Sequence, residues 1–127
     1  MTILFVGESG AARAPLAEAL ARQLLPGHDV WGAGYRPTHV HPEVRTVLEE
    51  EGVSTVGLRA RPLAEVPLDD VDLVVSFVDE ERGLRVPAST RKVRWGIPDP
   101  SSAPRAERLE AFRAARDEIV RRIRKLP

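Results

Sequence analysis

The chain opens on an apolar run, Ile3-Leu-Phe-Val6 after Thr2, with no charged position inside it. Such a run predicts a strand buried on both faces, because a half-exposed strand would alternate polar and apolar residues. Leu16, Ala19, Leu20 and Leu24 then recur at helical spacing. Pro15 suits the first turn of that helix, and Pro26-Gly27 ends it. Asp29 to Ala33 predicts a second strand, followed by a Gly34-Tyr-Arg-Pro37 loop. A second helix is expected from near Pro42, with Val44, Val47 and Leu48 as its apolar stripe and Gly52 at its C-terminal cap. Val71 to Val78 predicts a third strand, with Asp72 the only charge in its first half, and Lys92 to Trp95 a short fourth. The last helix is expected from about Pro104 to the terminus. Its Leu109, Phe112, Ile119, Val120, Ile123 and Leu126 share one face.

Strands alternating with helices predict an α/β fold: a three-layer, doubly wound sheet of four parallel strands flanked by helices. No repeat, low-complexity segment or long linker interrupts the pattern, so residues 1–127 are expected to form a single domain. Sites in such sheets lie at the C-terminal ends of the strands. That places Gly7–Arg13, after the first strand, and Asp99, after the fourth, within reach of one crevice.

Composition narrows the function classes. At 127 residues, 43% hydrophobic and 30% charged, the chain has the make-up of a soluble globular protein with a core. A formal net charge of zero supplies no global attraction to nucleic acid or membrane. From Arg105 onward eight basic residues face four acidic ones, which reads as a solvated helix face in preference to a nucleic-acid patch. The N-terminal apolar run is too short for a signal peptide or membrane span, so a cytoplasmic location is expected. A monomer or weak dimer is expected, and no cofactor or metal. The chain has no cysteine, which excludes disulfides, thiolate metal sites and any cysteine nucleophile.

The stretch Gly7-Glu-Ser-Gly-Ala-Ala-Arg13 has the make-up of an anion cradle. Consecutive backbone N–H groups before a helix N-terminus form a concave patch of positive partial charge. Gly7 and Gly10 permit unusual backbone angles, and Arg13 adds a planar fork matched to a tetrahedral oxyanion. Gly7, Glu8, Ser9, Gly10, Ala11, Ala12 and Arg13 are therefore the candidate anion-binding residues. A plain strand-to-helix turn with Arg13 on the surface accounts for the same residues. Glu8 would repel an anion if its carboxylate pointed inward. Ser9 carries a hydroxyl, but no histidine adjoins it, and a loop-bonding role is the simpler one. Asp99 is either a general acid or a turn former, since Asp-Pro-Ser-Ser is ordinary turn chemistry. Trp95 reads as a packing residue.

Five segments in order resemble the low-molecular-weight protein tyrosine phosphatase family, and within it the thioredoxin-coupled arsenate reductases. They are Ile3–Val6 with Arg13 and Ala17-Glu-Ala-Leu20; Gly32-Ala-Gly34 with His41-Pro42 and Gly52; Asp72–Asp79; Trp95–Pro100; and Phe112–Ile119. In that family the loop reads C-x5-R followed by Ser or Thr. A thiolate attacks the oxyanion, the arginine and backbone amides hold it, and the Asp of Asp-Pro protonates the leaving group. The resemblance puts the cysteine at Gly7, the arginine at Arg13, the hydroxyl at Ala14, the loop asparagine at Gly10 and the acid at Asp99. The resemblance puts the reductases' two further cysteines at Val78 and Val86. The resemblance thus implies a pseudoenzyme that lacks thiol catalysis and binds phosphate, arsenate or a phosphorylated ligand. A divergent phosphatase working without cysteine, and an interaction module, are the alternatives.

Overall fold

The computed structural model describes residues 1–79 and 82–127. Its strands are β1 (Thr2–Gly7), β2 (Asp29–Gly34), β3 (Leu73–Ser76) and β4 (Arg91–Arg94), all parallel, in the order β2-β1-β3-β4. The α-helices are α1 (Arg13–Leu24), α2 (Pro42–Glu50) and α3 (Arg108–Ile123). The expected four-stranded α/β sheet is present.

Alternation along β1 explains the layers. Ile3 and Phe5 join a core shared with Leu16 and Leu20 of α1, Val44, Val47 and Leu48 of α2, and Phe112, Ile119 and Ile123 of α3. Leu4 and Val6 face the opposite way, into a smaller cluster with Val66, Val71 and Val74. Two one-turn 3-10 helices, Leu63–Glu65 and Leu68–Asp70, lie along that second cluster. Among the described residues, the three α-helices therefore cover one face, and short 3-10 turns lie on the other.

Several boundaries move for local reasons. β3 spans Leu73–Ser76, shorter than the expected 71–78, although the Asp72 backbone already bonds Thr2 and Arg91 and its carboxylate accepts from the Thr2 N–H at 2.8 Å. Trp95 lies just beyond β4, where its ring meets Phe5 and Phe77. The final helix starts at Arg108 instead of Pro104, since residues 105–107 form a 3-10 turn. Gly52 has φ +68°, as a helix-terminating glycine should. No helix among the described residues is long and apolar enough to cross a membrane.

Candidate functional site

The loop between β1 and α1 is held from one side. The carbonyls of Gly7, Glu8, Ser9 and Ala11 accept from the N–H groups of Tyr35, Arg36, Thr38 and His41, at 3.2, 2.8, 3.1 and 2.9 Å. A trans peptide points its N–H opposite its C=O, so the amides of Glu8, Ser9, Gly10 and Ala12 face away from residues 35–41. Among the described residues, no N–H group from 8 to 13 has a protein acceptor. Unpaired amides next to a helix N-terminus are the physical basis of an anion site.

Gly10 makes this course possible with φ +63°, a left-handed angle that most side chains resist. Gly7 is different. Its φ is ordinary, and a Cβ built there would meet only the Ala14 Cβ, at 3.8 Å. The first position of the loop has room for a side chain that the sequence does not supply.

Arg13 opens α1, and its side chain straps three segments together. Nη1 donates to the carbonyls of Phe77 at 3.0 Å and Ile97 at 2.8 Å, and the guanidinium stacks over the Phe77 ring. Nε and Nη2 have no acceptor among the described residues. Burial pulls the Arg13 pKa below the ordinary arginine value, and the Asp99 and Asp79 carboxylates oppose that shift. The group remains a cation at neutral pH.

Arg13 and Asp99 line one cleft of about 570 Å³, with Val78, Asp79, Arg82 and Arg94 on its walls. Residues 7–12 do not line it. Asp99 Oδ1 accepts from the Ser101 N–H at 3.0 Å and the Ser101 hydroxyl at 2.7 Å, capping the 3-10 turn Pro100–Ser102. Trp95 is buried in the aromatic cluster. Val78 lines the cleft, and Val86 packs against the second core cluster.

Glu8 is neutralised at the rim. Arg82 Nη1 lies 2.5 Å from Glu8 Oε2, and Arg36 Nε 3.9 Å from Oε1. Arg82 also stacks over Tyr35, and Arg94 pairs with Asp79. Sequence reasoning did not find Arg82, Arg94 or Asp79 as cleft residues. Their segment carried no periodic pattern, and nothing local tied Arg82 to Glu8. It also passed over a buried pair, Glu18 and Arg61, although a glutamate set among Leu16, Ala17, Ala19 and Leu20 was a visible anomaly.

The chain resembles known arsenate reductases and phosphatases in sequence and fold. The chain is 28% identical over 129 residues to a glutaredoxin arsenate reductase of Synechocystis sp., covering 98% of this chain and 94% of that one. It is 31% identical over 93 residues to a low molecular weight protein-tyrosine-phosphatase of Bacillus subtilis, covering 65% and 60%. Among solved structures, an arsenate reductase in the phosphate binding state superposes with a TM-score of 0.78 at 26% identity, over 97% of this chain and 93% of that one. An arginine phosphatase from Geobacillus stearothermophilus gives 0.75 at 27% identity, over 97% and 88%. A model of the low molecular weight phosphotyrosine protein phosphatase family matches residues 2–127, and the chain, without any cysteine, belongs to that family.

Proposed function

We propose that this protein is a pseudoenzyme of its family, binding a phosphate-like oxyanion at residues 7–13 without covalent turnover. The observation that carries the reading is the one-sided bonding of the loop: the carbonyls of Gly7, Glu8, Ser9 and Ala11 are occupied, and among the described residues the amides from 8 to 13 have no protein acceptor. The phosphate-bound arsenate reductase among the neighbours supports phosphate as the reference ligand. Arsenate and a phosphorylated side chain present the same tetrahedral oxygens.

Binding uses the parts that are present. The amides donate to the oxyanion, and Arg13 offers Nε and Nη2 while Nη1 keeps the guanidinium fixed to Phe77 and Ile97. Glu8 does not oppose the ligand strongly, because Arg82 and Arg36 accompany it. Turnover lacks its first step. Gly7 offers no atom to attack the oxyanion, so no covalent intermediate forms there. Asp99, whose Oδ1 serves the 100–102 turn, is retained as a structural residue in this reading.

The test is a titration of the 15N-labelled protein with inorganic phosphate, beside an assay with p-nitrophenyl phosphate. Saturable shifts at the amides of residues 8–13, lost in Arg13→Ala, with no turnover above buffer, are expected. Turnover abolished by Asp99→Ala would replace this reading with a cysteine-free hydrolase. Unmoved loop amides at tens of millimolar phosphate would leave a scaffold or interaction module.

A further inference from the structure

Behind the loop lies a buried charged cluster that anion binding does not itself use. Glu18, in the middle of α1, is 1% exposed, and Arg61 is 6% exposed. Arg61 Nη1 donates to Glu18 Oε1 at 2.6 Å and to the Gly32 carbonyl at 2.9 Å, with its guanidinium over the Trp31 ring. Glu18 Oε1 also accepts the Gly32 N–H at 2.7 Å, and Arg22 pairs with Oε2 at 2.9 Å. Removing either partner of such a pair would leave a buried charge uncompensated.

The cluster sits on the outer edge of β2, an edge strand whose outward N–H and C=O groups need partners. The side-chain pair takes both backbone groups of Gly32. The Arg61 carbonyl then takes the Gly34 N–H at 2.9 Å. Gly32 must be glycine for this approach, because a Cβ there would come within 2.9 Å of Glu18 Oε1. Gly34 in turn touches the loop: a Cβ on it would lie 2.5 Å from the Gly10 nitrogen and 2.6 Å from the Ser9 carbonyl carbon. A continuous chain of contacts runs from Glu18 and Arg61, through Gly32 and Gly34, to the left-handed residue of the loop.

We infer that Glu18 and Arg61 are positioning residues for the anion loop, fixing the end of β2 against which Gly10 is seated. The inference deepens the anion-binding reading and rests on it for its functional consequence, whereas the structural link is testable without any ligand. Helix α1 contributes twice: its N-terminus faces the site, and its buried glutamate, one and a half turns on, holds the strand that backs the loop.

The experiment compares wild type with Glu18→Gln, Arg61→Met and Arg61→Lys. A remote core variant, Ile123→Val, serves as a control that is destabilised without touching β2. In the ligand-free proteins the amide resonances of Gly10 and Gly34 should move in Arg61→Met and Glu18→Gln and stay in place in Ile123→Val. Phosphate dissociation constants, measured on the folded variants, should weaken by about tenfold or more in Arg61→Met and recover to within about threefold of wild type in Arg61→Lys. If Arg61→Met does not fold, Glu18→Gln and Arg61→Lys carry the comparison. Unmoved Gly10 and Gly34 resonances in folded variants, or equal losses in Ile123→Val, would overturn the inference. A wild type that ignores phosphate would sink the anion-binding reading alone, and the ligand-free resonances would still decide the positioning role.

Discussion

Gly7 and Ala14 face each other across the start of the loop, and a Cβ on Gly7 would stand 3.8 Å from the Ala14 Cβ, an ordinary contact. The position proposed for the family's nucleophile is therefore not blocked, and Gly7 has no left-handed backbone angle to resist a side chain. Gly7→Cys is expected to fold with a stability within about 1 kcal/mol of wild type. It should release p-nitrophenol from the aryl phosphate faster than wild type, and Ala14→Ser added to it should raise the rate. A well-folded Gly7→Cys that remains inert would show that more than the nucleophile has been lost.

The contact between Gly10 and Gly34 is far tighter. Gly34→Ala would drive a methyl to 2.5 Å from the Gly10 nitrogen, against backbone that cannot swing aside as a flexible side chain would. Overpacking of this kind costs about 1–3 kcal/mol or more, and thermal denaturation should show a lower midpoint. Gly10→Ala should cost a similar amount, about 1–2 kcal/mol for the left-handed angle, with a 3.2 Å approach to the Gly34 nitrogen added. Either variant with an unchanged midpoint would contradict the close packing of loop on strand.

Much of this was legible in the sequence, and the omissions share a physical cause. The Ile3–Val6 run, the α1 stripe and the glycine at 52 are local patterns, and they placed β1, α1 and the end of α2. The Gly7–Arg13 loop also stands out in the sequence as a candidate cradle, because loop and helix N-terminus are contiguous. β4 was harder. It is an edge strand of four residues in which Arg91, Lys92 and Arg94 are exposed, so no apolar run marks its ends. The 3-10 turns that cover the second face have no 3.6-residue repeat to detect. The orientation of Glu8 depended on Arg82, and the role of Glu18 on Arg61, partners far away in the chain. Long-range pairs of charges leave no periodic trace.

Arg13 has a structural task beside the binding role proposed for it. Arg13→Ala would strip the Phe77 and Ile97 carbonyls of their shared donor, each bond contributing about 0.5–1.5 kcal/mol. Chemical denaturation should show a loss of about 1–3 kcal/mol together with loss of phosphate binding. Arg13→Lys should restore part of the stability but not the full binding, since an ammonium bonded to both carbonyls has one N–H left and no planar pair of donors for the oxyanion. Full binding in Arg13→Lys would contradict the assignment of Nε and Nη2 to the ligand.

Glu50, at the α2–α3 contact, should contribute to acid sensitivity. Its carboxylate accepts from Arg113 at 2.7 Å and Arg116 at 2.8 Å. The Arg113 hydrogen bond holds its pKa below the ordinary 4.5, partly opposed by desolvation and assisted by Arg116. A depressed carboxylate pKa contributes stability that is complete above the ordinary value and disappears as pH falls through the depressed one. Glu50→Gln should therefore lower the melting midpoint at pH 7, with the gap to wild type closing as pH drops below about 4.5. A gap that persists or widens in acid would contradict that sign.

The oxyanion site proposed at residues 7–13 keeps its amides and its arginine without a cysteine. Its most direct test is a crystal structure of the wild-type protein soaked in phosphate or arsenate. The account predicts one tetrahedral ion within hydrogen-bond distance of the amides of residues 8–13 and of Arg13 Nε and Nη2, with no bond to the protein chain. A loop free of the ion at tens of millimolar phosphate, or an ion held only elsewhere on the surface, would contradict it.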